Sequence, residues 1–135
     1  MSNIFPFLRY QDAPAAIEWL VQAFGFEKKA VYPGPEGSNT IAHAELRIGS
    51  GLIMLGSAKE DHLKMKTPRE AGGVTQGIYI VVPDVADVDA RYERAKAAGA
   101  EIVMPPKDLD YGSREFGVRD PEGNLWSFGT YDPGA

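Results

Sequence analysis

The chain has 135 residues, 44% of them hydrophobic and 24% charged, with a net charge of −5 and no cysteine. That length suits one compact domain or two intimately packed halves, and it needs no disulfide or structural metal to fold. The absence of cysteine excludes a thiol nucleophile, a thiolate metal site and a disulfide framework.

Other classes fall away on the same arithmetic. Apolar runs such as Ile78–Pro83 are far shorter than the roughly 20 residues of a membrane span. The N-terminus carries no basic region and no long apolar core, so no secretory signal is expected and the expected location is the cytoplasm. The acidic balance disfavours a nucleic-acid partner, because no basic stripe exists to displace counterions. It favours cationic ligands weakly, and it also serves simply to keep a small domain soluble.

In chain order, Ile4–Tyr10 reads as a strand with Pro6 near its start. Asp12 is placed to cap a helix, with Pro14 in the first turn. Ala16, Ile17, Leu20, Val21 and Phe24 recur at helical spacing, and Gly25 follows where a left-handed cap wants a glycine. Phe26–Tyr32 predicts a strand, Pro33–Ser38 a loop, Ile41–Ile48 an alternating strand and Leu52–Leu55 a short apolar one. Ser57–Thr75 is polar and reads as a mobile connection able to fold over a site.

The second half repeats the order. Gly77–Val82 is a strand, and Asp84 or Asp87 starts a helix with the stripe Val88, Tyr92, Ala95 and Ala98. Gly99 ends it. Glu101–Met104 is a strand that Pro105 and Pro106 break, and Tyr111–Arg119 is the next. Asp120-Pro121-Glu122-Gly123 has the residues of a type I turn, and Leu125–Thr130 is the last strand. The helix starts Asp12 and Asp84 lie 72 residues apart, and the glycines Gly25 and Gly99 lie 74 apart. A period near half the chain predicts a duplicated βαβββ unit. The expected fold class is α+β, one domain over 1–135 with module 1 at about 1–57 and module 2 at about 76–131.

A doubled βαβββ unit with Asp-Pro-Glu-Gly-Asn before its final strand resembles the vicinal oxygen chelate superfamily of glyoxalases, extradiol dioxygenases and fosfomycin- and bleomycin-resistance proteins. The matching stretches are Phe7–Asp12 with its helix, His43–Leu46, Ile78–Ala100, and Tyr111–Phe116 through Trp126–Gly129. The resemblance implies that each module curls into a half-barrel, that the modules enclose a cleft, and that two chains pair as a homodimer. It also implies four places for the ligands of a divalent metal, on the first and last strand of each module. Those places hold Phe5, Met54 (or Leu55), Gly77 and Ser127. Phe and Gly offer no ligand atom, methionine sulfur is soft, and serine alone does not hold the ion. On this fit the family's metal site is lost, and no cofactor is expected.

Strand alternation puts Phe5, Phe7 and Arg9 on one face of the first strand, and Leu125, Ser127 and Gly129 on one face of the last. The resemblance turns both sets to the cleft. The expected ligand-binding residues are therefore Phe5, Phe7, Arg9, Met54, Gly77 and Ser127. Arg9 reads equally as a partner for an anionic group or as a surface charge. His43 and Glu45 sit two apart on a strand and share a face. They read either as a proton-transfer dyad, the weak catalytic candidates here, or as ordinary polar positions of a half-buried strand. His62 sits in a charged, solvated stretch, and the orientation of Tyr111, Arg114 and Glu115 stays open. Two functions follow. One is a binding protein that holds a small, partly aromatic molecule in an apolar cleft without metal chemistry, as in the bleomycin-resistance branch. The other is a metal-dependent or acid–base lyase, isomerase or dioxygenase of the glyoxalase-like group.

Overall fold

The computed structural model describes residues 2–135. Its elements run β1 (Phe7–Tyr10), α1 (Ala13–Phe24), β2 (Glu27–Pro33), β3 (Ile41–Ile48), β4 (Gly51–Ser57), α2 (Pro68–Ala71), β5 (Gly77–Val81), α3 (Val85–Ala97), β6 (Glu101–Asp108), β7 (Arg114–Arg119) and β8 (Leu125–Gly129). The strands form two four-stranded sheets in the same order, β1-β4-β3-β2 and β5-β8-β7-β6. In each, the first strand lies parallel to the last and the other neighbours are antiparallel. This is the expected α+β fold of two βαβββ modules, and neither sheet closes into a barrel.

Local chemistry explains most boundaries. Asp12 Oδ1 accepts the Ala15 N–H at 3.1 Å, so α1 begins where the capping residue stands. Gly25 ends it at φ +84, a left-handed position that a Cβ would strain. Asp84 rather than Asp87 is the N-cap of α3, and Ala98 its C-cap, with Gly99 at φ +90 one residue on. Strand β1 starts at Phe7 instead of Ile4, because Pro6 lacks an N–H; its carbonyl still accepts Met54 N at 2.9 Å.

One expectation is corrected. Pro105 and Pro106 do not break the strand: β6 runs on to Asp108. It is the outer strand of its sheet, so a missing donor leaves no ladder partner unpaired on its open side. The irregularities in its register lie between Ile102 and Met104 and between Met104 and Lys107, where bulges absorb the prolines.

The two modules meet through their helices. Trp19 Nε1 on α1 donates to the Ala98 carbonyl at 2.8 Å. Arg91 and Arg94 on α3 donate to the carbonyls of Phe24 and Gln22, which places two cations at the negative end of α1. The Phe24 ring lies 5.2 Å from Trp126 and 5.0 Å from Phe128, so module 1 inserts an aromatic into the second sheet's core. Phe116 and Phe128 stack at 4.8 Å beneath it. The helix-facing residues of both sheets, among them Leu46, Leu55, Val118 and Trp126, are fully buried.

The connection between modules is more ordered than its composition suggests. Thr67 is buried and caps the single turn of α2 in a reciprocal capping box with Glu70. Gln11 Nε2 donates to Thr67 Oγ1 at 3.1 Å, which ties the connection to the start of α1.

Candidate functional site

Each sheet covers one face with helix and leaves the other open. In module 1, Phe7 pairs with Met54, and Met54 with Glu45, so these three side chains form a row on the open face. Arg9 and His43 share that face through strand alternation. In module 2, Tyr79 pairs with Ser127, and Ser127 with Gly117, while Gly77 pairs with Leu125. Gly117 keeps this second face low beside Ser127, whereas the space that a Cβ would take at Gly129 is filled by the Glu115 side chain and the Tyr79 hydroxyl.

The structure brings some of the expected residues together. Phe7, Arg9 and Gly77 line a cavity of about 340 Å³ on the seam between β1, β5 and the connection. Phe7 and Arg9 also border a hollow of about 270 Å³ on module 1 alone, with Met54, His43 and Leu63. Ser127 and Phe5 line neither. Ser127 lies on the open face of the second sheet, and Phe5 precedes β1 with 42% of its surface exposed.

Arg9 is no surface charge. Its side chain is 10% exposed, and Nη2 binds Asp61 Oδ2 at 3.0 Å. Its hydrogen bond holds the Asp61 carboxyl below the usual aspartate range. Nη1 is buried and has no partner.

His43 and Glu45 form the pair that their spacing allows. His43 Nε2 lies 2.9 Å from Glu45 Oε2, and Lys29 Nζ lies 2.9 Å from Oε1. The His43 hydrogen bond first, and then that from Lys29, hold the Glu45 carboxyl below the ordinary glutamate value. Tyr32 stacks on the His43 ring at 6.1 Å. Arg114 faces away from this chemistry, bound to Asp89 and Asp108.

Two polar clusters lie outside the expected ligand-binding and catalytic residues, and the first of them settles the orientation left open for Tyr111 and Glu115. On the open face of module 2, Tyr111 and Ser113 both donate to Glu115 Oε2 at 2.8 Å, and Tyr79 donates to the Tyr131 carbonyl at 2.8 Å. The Glu115 hydrogen bond pushes the Tyr111 hydroxyl up to about 12. Between the modules, the buried Asp120 accepts from Tyr10 Oη at 2.7 Å, Trp126 Nε1 at 3.0 Å, and the N–H groups of Glu122 and Asn124. Burial, and then Asp120, push the Tyr10 hydroxyl well above its ordinary value. The sequence signal for Asp120 was its turn motif, which gives no hint of its bond to Tyr10, 110 residues away in the chain.

The four places of the implied metal do not fit a divalent ion. Phe5 and Gly77 bring no donor, Met54 a soft thioether and Ser127 a neutral hydroxyl. Among the described residues, no three His, Cys, Asp or Glu side chains stand close enough together to hold one. No helix among them is long and apolar enough to cross a membrane.

Paired βαβββ modules with helices on one side and an open, mixed apolar and polar sheet face on the other define a protein built around shallow clefts. Comparison with known proteins identifies the family of this fold. Residues 4–128 match the model of the Glyoxalase/Bleomycin resistance protein/Dioxygenase superfamily, and the chain belongs to that superfamily. It is 37% identical over 126 residues to an uncharacterized protein of Mycobacterium bovis, covering 92% of this chain and 80% of that one. The crystal structure of TioX from Micromonospora sp. ML1 is similar, with a TM-score of 0.72 at 34% identity over 96% of this chain and 98% of that one. The fosfomycin resistance protein FosX from Mesorhizobium loti shares the fold, with a TM-score of 0.71 at 15% identity over 98% and 93% of the two chains.

Proposed function

We propose that the protein is a cytoplasmic homodimer that binds a small, partly aromatic molecule on its open sheet faces without metal chemistry. The observation that carries the reading is the composition of those faces. Phe7, Met54 and Tyr79 supply apolar and aromatic surface, with the held polar groups Arg9 and His43 and the hydroxyl of Ser127 on the same open faces, which is the make-up of a small-molecule site. The four places that the family resemblance assigns to a metal hold residues that do not ligate one.

The surface supports pairing with a second copy. The chain exposes 8205 Å², about a fifth more than the ~6,900 Å² of a compact monomer of its mass. Phe7, Tyr32, Tyr111 and Tyr131 are among the large exposed side chains on or beside the open faces. Covering such faces against another copy deepens shallow hollows into enclosed clefts.

A second reading rests on the His43–Glu45 contact. An imidazole 2.9 Å from a carboxylate, beside Met54 and Phe7, has the arrangement of an acid–base pair for a lyase or isomerase. The test of both is a thermal-shift screen of chelator-treated protein with a panel of aromatic ligands. Metal-independent stabilisation that disappears in Phe7→Ala supports binding. A shift that requires added divalent metal, or turnover lost in His43→Gln, supports the enzyme instead.

A further inference from the structure

The cavity on the seam between β1 and β5 departs from the rest of the molecule in its charge. The chain carries a net charge of −5, yet this cavity of about 340 Å³ is lined by Arg9, Lys64 and Lys66 and by no acidic residue. Its walls include apolar side chains such as Val74 and Leu125. Asn124 also lines it, and its Nδ2 is buried without a partner.

Arg9 is the centre of the argument. A guanidinium has five N–H donors and no acceptor capacity. Asp61 takes the Nη2 side, while Nη1 stays buried without a partner in a side chain that is 10% exposed. A buried donor on a charged group that lacks an acceptor costs free energy, and such an atom marks a place where an acceptor is missing. Asp61 fixes the guanidinium in position and so prepares the remaining edge. Lys64 approaches the same cavity from a backbone with φ +53, a left-handed position uncommon for a lysine.

From these observations we infer that the seam cavity is an anion subsite, in which Arg9 Nη1, Lys64 and Lys66 hold the carboxylate or phosphate of an otherwise apolar small molecule. This deepens the small-molecule reading and rests on it. It also reverses what net charge suggests, since an acidic protein here selects an organic anion through one local cluster of cations. Carboxylate and phosphate monoester share the chemistry required, an oxyanion able to accept from a guanidinium edge.

The experiment is an NMR titration of the full chain with three probes of similar shape: phenylacetate, phenyl phosphate and the neutral phenylacetamide. The expected result is that at least one anion binds about tenfold or more tightly than phenylacetamide, as charge-assisted contacts from three cations require. Shifts should centre on Arg9, Lys66 and Leu125. Lys66→Gln, at an exposed position outside the core, should weaken anion binding about threefold. Asp61→Asn keeps an amide oxygen to hold Arg9 Nη2 but removes the competing negative charge, so it should tighten anion binding; a merely structural Arg9–Asp61 pair predicts no gain. Whichever anion binds more tightly identifies the headgroup. Equal binding of the anions and phenylacetamide, or affinities untouched by Lys66→Gln and Asp61→Asn, overturns the anion subsite and leaves the small-molecule reading standing. Failure of all three probes together with the whole neutral aromatic panel overturns both.

Discussion

Replacing Asp120 by Ala tests how firmly the two modules are locked within one chain. Asp120 belongs to module 2, but its Oδ2 accepts from Tyr10 at the end of β1 as well as from Trp126. Tyr10 and Trp126 are 1% and 0% exposed, so neither donor finds water once the carboxylate is gone. Each hydrogen bond to a charged group contributes ~1.5–3 kcal/mol, and stranding the two buried donors should destabilise the fold by ~4 kcal/mol. The two backbone donors, Glu122 and Asn124, sit in a partly open turn and add little. Against a total stability of ~5–15 kcal/mol, this is a large fraction. Urea unfolding at one fixed protein concentration reads it as a midpoint about 2 M lower, for a slope of ~2 kcal/mol/M. Tyr10→Phe alone should cost ~2 kcal/mol, and almost nothing further in the Asp120→Ala background, because the interaction is already lost. A loss under ~1 kcal/mol for Asp120→Ala, or simple additivity of the two changes, would refute the idea that this carboxylate joins the modules.

Three more expectations follow from single contacts. Gly25→Ala places a Cβ 3.0 Å from Arg94 Nη1 at a φ of +84, so it should lower stability by ~1–2 kcal/mol, read as a fall in Tm, whereas Ala at the open Gly51 turn edge should cost less. The Glu45 carboxyl should titrate below a free glutamate in a carbon-detected pH titration, and His43→Gln should move it back up; because its folded value is depressed, the stability it contributes is present above the unfolded value and fades as pH falls through the folded one. An unshifted Glu45 would remove the dyad. The Tyr111 hydroxyl should ionise near 12 in an ultraviolet titration, and Glu115→Gln should bring it back toward 10; no change in that variant would mean that Tyr111 and Glu115 do not touch in solution.

Periodicity made the repeated order of elements legible, because each module buries a helix stripe and a sheet face of its own. Ile17, Leu20 and Phe24 in α1, and Val88 and Ala95 in α3, are buried as their spacing predicts. The prolines of β6 misled, since a breaker in a central strand is harmless on an outer one, and position in the sheet is not written locally. The same limit governed the site. The shared face of His43 and Glu45 follows from alternation within one strand. The role of Asp120 depends on Tyr10, 110 residues away in the chain, and the Arg9–Asp61 pair spans 52 residues. Lys64 and Lys66 read as ordinary solvated charges until the connection brings them to the seam cavity.

The central claim is that this member of the superfamily binds a small molecule without a metal. It is tested most directly by measuring metal content and ligand binding on the same chelator-treated sample, with the Met54 methyl resonance as the reporter on the open face of module 1. The account predicts less than about a tenth of an equivalent of divalent metal and a saturable shift of the Met54 methyl by an aromatic ligand, unchanged on adding metal. Stoichiometric metal that survives chelation, or a Met54 response that appears only when a divalent ion is restored, would contradict it.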